Sequence, residues 1–312
     1  MAGWLALSDG GMALGSGPDL ERGCLMFDLG PRQDATTVLM EHGEGPDALS
    51  LIHDAGFGLG LMLRRGATLA RHMLPVGAQA ASGGLVQFRW DAATGHWSLD
   101  LSGGASAWGQ GAQPLPRALL AAVMAGPRLR STTLRWFGLA EGASVATLPL
   151  IGPRTPIATT KGTVTAAELR PGDVVLTRDH GPRRLLSVQR HDLPGRGSLA
   201  PIRLRSPFFG AACDVLVSAS QQVMLSGVEV EYLFGEDAVL VEARHLADGS
   251  CAVAEEVAGV LPWIALDLGC EATLLSGGCA LSTVRGASMR TLAPFEIRAL
   301  QTMRRKSLRS AA

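Results

Sequence analysis

An all-β chain built as two β-rich halves is what this sequence predicts, and three observations carry the prediction. Its 312 residues suffice for two domains that each bury a core. Hydrophobic residues make up 47% of the chain, with 39 glycines and few charges, a mixture suited to short strands joined by tight turns. Across residues 20–140 the apolar positions alternate in short runs between Gly, Pro and Asp clusters, the rhythm of a β-sandwich.

In the first half, residues 36–40, 48–52, 58–63, 85–90 and 96–101 read as strands in succession. Residues 91–95 lie between two tryptophan-bearing runs as a hairpin loop, with Gly95 free to take the positive φ such a loop needs. Residues 115–124 suit one short helix, with Pro116 tolerated in its first turn. Residues 133–137 then form a closing strand. This strand order resembles a concanavalin A-like/laminin-G jelly roll, which places a jelly-roll-like sandwich over 1–145. Such folds imply sugar binding through exposed aromatics and a calcium-ordering loop. Trp90, Trp97, Trp108 and Trp136 are the aromatics available for stacking, but tryptophans in alternating strands are expected in the core. No acidic run has calcium-loop spacing. His42, His53, His72 and His96 have no second ligand at metal spacing and read as hydrogen-bonded or surface histidines.

Charge narrows the function classes. Lys+Arg and Asp+Glu are both 28, which argues against nucleic acid held by a global basic field. No window approaches the ~18 apolar residues of a membrane span. The first nine residues lack a basic stretch followed by an apolar run, so no cleavable signal peptide is expected, and the chain reads as cytoplasmic or exported by a signal-independent route. The cysteines Cys24, Cys213, Cys251, Cys270 and Cys279 are scattered and odd in number, and read as small, partly buried thiols. No glycine-rich phosphate loop opens a helix, and no cofactor or metal is expected.

The second half carries the specific motifs. Residues 147–159 run Thr-Leu-Pro-Leu-Ile-Gly-Pro-Arg-Thr-Pro-Ile-Ala-Thr, and residues 167–173 run Ala-Glu-Leu-Arg-Pro-Gly-Asp. Strands follow at 174–177 with a partner at 184–188, then at 201–205 and 214–218. The run Ser-Ala-Ser-Gln-Gln-Val-Met-Leu-Ser occupies 218–226, and a Leu-Phe-Gly-Glu-Asp run at 233–237 leads into Ala-Arg-His-Leu-Ala-Asp-Gly at 243–249. Together these resemble a bacterial Hint (hedgehog/intein) self-processing domain over 148–285, implying a Hint β-fold behind the sandwich. In that family a cysteine attacks the preceding carbonyl, and a histidine in the Ser-x-x-His element protonates the leaving amide nitrogen.

Aligned on Thr155 and on Ile157, Ala158 and Thr159, the family's cysteine falls on Leu150. Its histidine falls on Gln221, its Ser/Thr on Ser218, and a further aspartate on Asp267, whose flanking histidines are missing in 261–270. His245 matches a structural histidine. Leucine has no lone pair with which to attack, and a carboxamide delivers no proton at neutral pH. The resemblance therefore implies a pseudoenzyme, a relic serving as an interaction or structural module for an unknown protein or glycan partner. The alternatives are self-processing through a non-standard nucleophile, with Thr147, Thr155 and Cys213 as candidates, and carbohydrate binding by the sandwich. Residues 286–312 end in the basic run 304–309 and are expected to form an amphipathic helix or a tail.

Overall fold

The structure, a computed structural model, describes residues 3–8, 12–31, 35–76, 83–102, 104–141, 148–284 and 288–310, without the side chains of Glu44 and 304–310. The chain is all-β, as the sequence predicts, and divides into two compact units, 1–145 and 146–312.

The first unit is a sandwich of two antiparallel sheets. One has six strands in the order Trp4–Leu7, Leu134–Ala140, Arg22–Leu29, Gly84–Asp91, His96–Leu101 and Ser106–Gln110. The other has five: Leu129–Arg130, Thr37–Glu44, Asp47–Asp54, Gly58–Arg65 and Thr68–Leu74. Alternation decides which face turns inward. In Asp47–Asp54, Leu49, Leu51 and His53 are buried while their neighbours are half-exposed. The hairpin at 91–95 forms as expected: Gly95 takes φ +71°, and the Asp91 carboxylate accepts from the backbone N–H of Ala93 at 3.0 Å and Thr94 at 3.3 Å. The helix, Arg117–Ala125, starts two residues later than predicted because Pro116 sits just outside its first turn. It buries Leu119, Leu120, Val123 and Met124.

Sequence reasoning missed Arg22–Leu29, a strand inside the six-stranded sheet. Every residue after Arg22 is buried, so the strand has no polar face and no alternation by which to recognise it. Of the four tryptophans weighed for stacking, Trp90 and Trp136 are buried and Trp97 is half-buried. Trp108, on the edge strand, is 76% exposed and departs from the expected core placement.

The second unit is built from shorter strands. A curved sheet runs Gly162–Thr165, Pro156–Thr159, Val174–Thr177, Thr273–Ser276, Cys279–Ser282, Gln222–Ser226 and Ala238–Glu242. Gly181–Arg184 pairs with Val174–Thr177, which corrects the expected partner at 184–188. The positive φ of Gly181 closes the turn early, and the Thr177 hydroxyl donates to the Gly181 carbonyl at 2.7 Å. Ser187–Pro194 instead pairs along its full length with Val260–Asp267. A third, three-stranded sheet holds Val215–Val217, Ile202–Leu204 and Ala252–Ala254. The terminal segment forms the helix Pro294–Ser310, whose Ile297 and Leu300 join the core of this unit.

Candidate functional site

The segment Leu148–Gly152 is laid between two strands that do not pair with each other. Ile151 bridges Val217 on one side and Ile264 on the other. Its N–H donates to the Ile264 carbonyl at 3.0 Å and its carbonyl accepts from Ile264 N–H at 2.9 Å. Leu150 accepts from Ser218 N–H at 2.9 Å, and Gly152 N–H donates to the Leu216 carbonyl at 2.8 Å. A Cβ at Gly152 would come within 3.1 Å of that carbonyl oxygen, closer than an ordinary contact, so the glycine lets the two backbones approach. The Leu216 carbonyl also accepts the Thr155 hydroxyl at 2.9 Å, so its two lone pairs tie down both ends of the turn at 152–155. Leu150 itself is 0% exposed.

Two serines surround the Pro149–Leu150 peptide. The Leu150 N–H donates to Ser218 Oγ at 3.1 Å. Ser218 Oγ and Ser220 Oγ both donate to the Leu148 carbonyl, at 3.4 and 2.6 Å, and lie 3.3 Å apart. The peptide bond between residues 149 and 150 is thus flanked by hydroxyls, and backbone bonds to Ser218, Ile264 and Leu216 anchor the residues that follow it.

Residues 152–285 match the family model of the Hint domain. The second unit carries a Hint domain. Among solved structures, the chain is similar to the gp41-1 intein at 10% identity, covering 43% of this chain and 97% of that one with a TM-score of 0.28. It is similar to the MchDnaB-1 intein at 16% identity, covering 42% and 98% with a TM-score of 0.27. Domains LG4-5 of the mouse laminin alpha1 chain are similar at 10% identity, covering 91% of this chain and 75% of that one with a TM-score of 0.28. No curated protein matches the chain.

The fold of the Hint domain brings Leu150 and Ser218 into direct contact, and places Gln221 one turn further along. Gln221 is 1% exposed, and its amide nitrogen donates to the carbonyls of Ser282 at 2.8 Å and Gln222 at 3.0 Å. That carboxamide is thereby committed to two backbone acceptors rather than to the Leu150 nitrogen. Asp267 stands apart from this group: its carboxylate accepts from Gly269 N–H at 2.8 Å and closes the turn after its strand. Thr155 is held by Leu216, as above. Cys213 lies at the turn of another hairpin, where a Cβ on Gly277 would meet its sulfur at 3.0 Å. Thr147 falls outside the described residues. Ser220 was missed by sequence reasoning. Its only signal was a hydroxyl two residues from Ser218 on an otherwise apolar approach.

No side chain in this cluster titrates near neutrality. Leu148, Leu150, Ser218, Ser220 and Gln221 together offer hydroxyls and an amide, which position a peptide but neither attack without a base nor deliver a proton. Charged groups instead serve the turns around the cluster. Burial pushes the Asp248 carboxyl up, but the N–H groups of Ser250, Cys251 and Ala252 and the Ser250 hydroxyl outweigh it and hold the group at about 2. Glu168 accepts from the N–H and hydroxyl of Thr165, which lowers its carboxyl and caps the short 3-10 helix Ala166–Glu168. Burial lowers the His245 imidazole, and the His245 backbone carbonyl accepts from the Gln301 side-chain amide at 3.0 Å. Among the described residues, no group of three His, Cys, Asp or Glu side chains could hold a metal, and no helix is long and apolar enough to cross a membrane.

Proposed function

We propose that this Hint domain is non-catalytic and keeps its own backbone whole, acting as a structural or interaction module. One observation carries the reading. The buried alkyl side chain of Leu150 stands where the family resemblance puts an attacking thiol, with the Leu150 N–H donated to Ser218 Oγ. The Gln221 commitment to Ser282 and Gln222 supports it, because no group is left to protonate a departing amine. The test is the intact mass of freshly purified full-length chain, followed for days at pH 7.5 with and without a small thiol. A single unchanged mass is expected. Paired fragments split between Pro149 and Leu150 in a protease-free sample would overturn the reading. The double substitution Leu150→Cys with Gln221→His then asks whether the surrounding frame still supports scission.

A second reading, carbohydrate binding by the sandwich, is favoured by Trp108. Its ring is exposed on the edge strand, and strand register puts Ser98 opposite it, with Asp100 and Ser106 on the same face. His96 and Gln110 pair at 2.9 Å two positions further along that face. An aromatic plate beside hydroxyl, carboxylate and amide groups suits the apolar face and polar rim of a sugar ring. A glycan array probed with the full chain should return binders that Trp108→Ala abolishes. An array with no binder ends this reading.

A further inference from the structure

The short helix Val228–Phe234 of the Hint domain turns apolar side chains outward. Val230 is buried beneath it, while Val228, Glu231 and Tyr232, spaced three and four apart, stand on the outer side. Val228 is 76% exposed and Tyr232, the only tyrosine of the chain, 77%. Phe295, 67% exposed, lies in the first turn of Pro294–Ser310, which packs against that short helix. Arg290 fastens the two together: it donates to the Phe234 carbonyl at 3.4 Å, lies over the Phe234 ring and pairs with Glu296 at 2.6 Å. Single exposed apolar side chains are ordinary, but three large ones on two packed helices mark a contact surface.

Charge says what covers it. Residues 228–237 hold Glu229, Glu231, Glu236 and Asp237 and no cation. Among the described residues, none of these four carboxylates forms an ion pair. Residues 298–309 hold Arg298, Arg304, Arg305, Lys306 and Arg309 and no anion, in a chain whose opposite charges balance at 28 each. Within one chain the two runs lie apart. Val228–Phe234 precedes the strand Ala238–Glu242 and the helix Ala243–Leu246 follows it, so these helices stand at opposite ends of that strand. The terminal helix travels from one end to the other: Arg290 and Glu296 sit at Phe234, and Gln301 donates to the His245 carbonyl at 3.0 Å. It then continues to Ser310, about 14 Å farther at 1.5 Å per residue. Its basic end therefore leaves the acidic helix of its own chain behind.

We infer that this surface binds a second copy of the chain, in a two-fold pairing that lays the basic end of each terminal helix along the other copy's Val228–Phe234. A two-fold axis makes the two contacts equivalent, so the acidic and basic runs of both copies are matched at once. Val228 and Tyr232 supply the apolar centre, and the exposed Glu231 and Asp237 supply a charged rim. The pairing uses neither Leu150 nor Trp108, so intact mass and glycan binding test the readings above independently of it.

The experiment is sedimentation velocity of the full-length chain at pH 7.5 over about 1–100 µM, where a monomer should give way to a species of twice its mass. Raising salt from about 0.05 to 0.5 M should weaken the dimer about tenfold by screening the rim. Tyr232→Ala, at an exposed position, should weaken it about tenfold as well. Charge reversal then identifies the partner. One chain carries Glu231→Arg with Asp237→Arg, and another carries Arg305→Glu with Arg309→Glu. Each alone should remain monomeric, because like charges face each other in its own pairing, and an equimolar mixture should recover the dimer. A wild-type chain that stays monomeric at about 100 µM in low salt overturns the inference. A dimer indifferent to Tyr232→Ala also overturns it, by placing the interface elsewhere. So does a mixture of the reversed chains that stays monomeric, since the two runs then do not meet across copies.

Discussion

The two units solve the same problem, burying an apolar core with strands, by different means. In the sandwich most strands run six to eight residues and their ladders are nearly continuous, as where Arg22–Leu29 pairs residue for residue with Gly84–Asp91. In the Hint domain Ile202–Leu204, Val215–Val217 and Ala252–Ala254 have three residues each. Short strands leave many backbone donors without ladder partners, and side chains at the turns take them up. Asp173 accepts from Arg170 N–H, Asp179 from Thr273 N–H, and Asp248 from three donors in succession. The lesson concerns where each unit can place chemistry. A sandwich with saturated ladders presents its side chains, along an edge or into a cavity. A fold stitched together at turns can thread one segment, Leu148–Gly152, between strands and so present a peptide bond.

If apolar burial dominates the sandwich, its largest sensitivity lies in the core. Phe27→Ala, at a fully buried position, should lower unfolding free energy by about 3–5 kcal/mol, read from the urea midpoint. A loss under 1 kcal/mol would mean that the ladders rather than the core carry this unit.

The sandwich should also lose stability with acid. His72 falls from its ordinary 6.5 to about 4 in the fold, so the unfolded chain binds its proton first as the medium acidifies. Stability from this group is complete above pH 6.5 and declines as pH drops toward 4, by roughly 2–3 kcal/mol. Native-state hydrogen exchange across Thr68–Leu74 at pH 7 and pH 4.5 measures it, and His72→Phe should flatten the trend.

Within the Hint domain the expected effects are smaller and polar in origin. Thr155→Val strips one hydrogen bond from the Leu216 carbonyl and should cost about 1–2 kcal/mol, seen as a lowered melting temperature. An unchanged melting temperature would show that Gly152 alone suffices to hold the turn. Asp248→Ala should cost about 1 kcal/mol once solvent screening is allowed for. Because the Asp248 carboxyl is depressed from 3.8 to about 2, its contribution is present above pH 3.8 and fades as pH falls toward 2. Denaturation of both chains between pH 6 and pH 2.5 should therefore converge at the acid end. Parallel curves would assign Asp248 no role through its charge.

How much was legible beforehand varied with the kind of signal. Alternation exposed Asp47–Asp54 and the hairpin at 91–95, because one face of each strand turns from the core and the side-chain period of two shows in the residues. It failed at Arg22–Leu29, where burial on both faces erases the period. Of the positions aligned to the family, Leu150 and Ser218 meet through a hydrogen bond in the fold, whereas the Asp267 carboxylate accepts from Gly269 N–H in its own turn.

By itself, then, the amino-acid order determined which atoms are available: an alkyl group at position 150, a carboxamide at 221, an imidazole at 72. Residue identity sets which groups can attack or carry a proton at all before any folding occurs. Only the tertiary structure decided what those atoms face. It turned the Gln221 amide toward two carbonyls, set Ser220 against Leu148, and left His72 Nδ1 buried without a partner. Ser282 and Leu148 lie tens of positions from the side chains they meet, and no local pattern encodes a contact that chain closure alone creates.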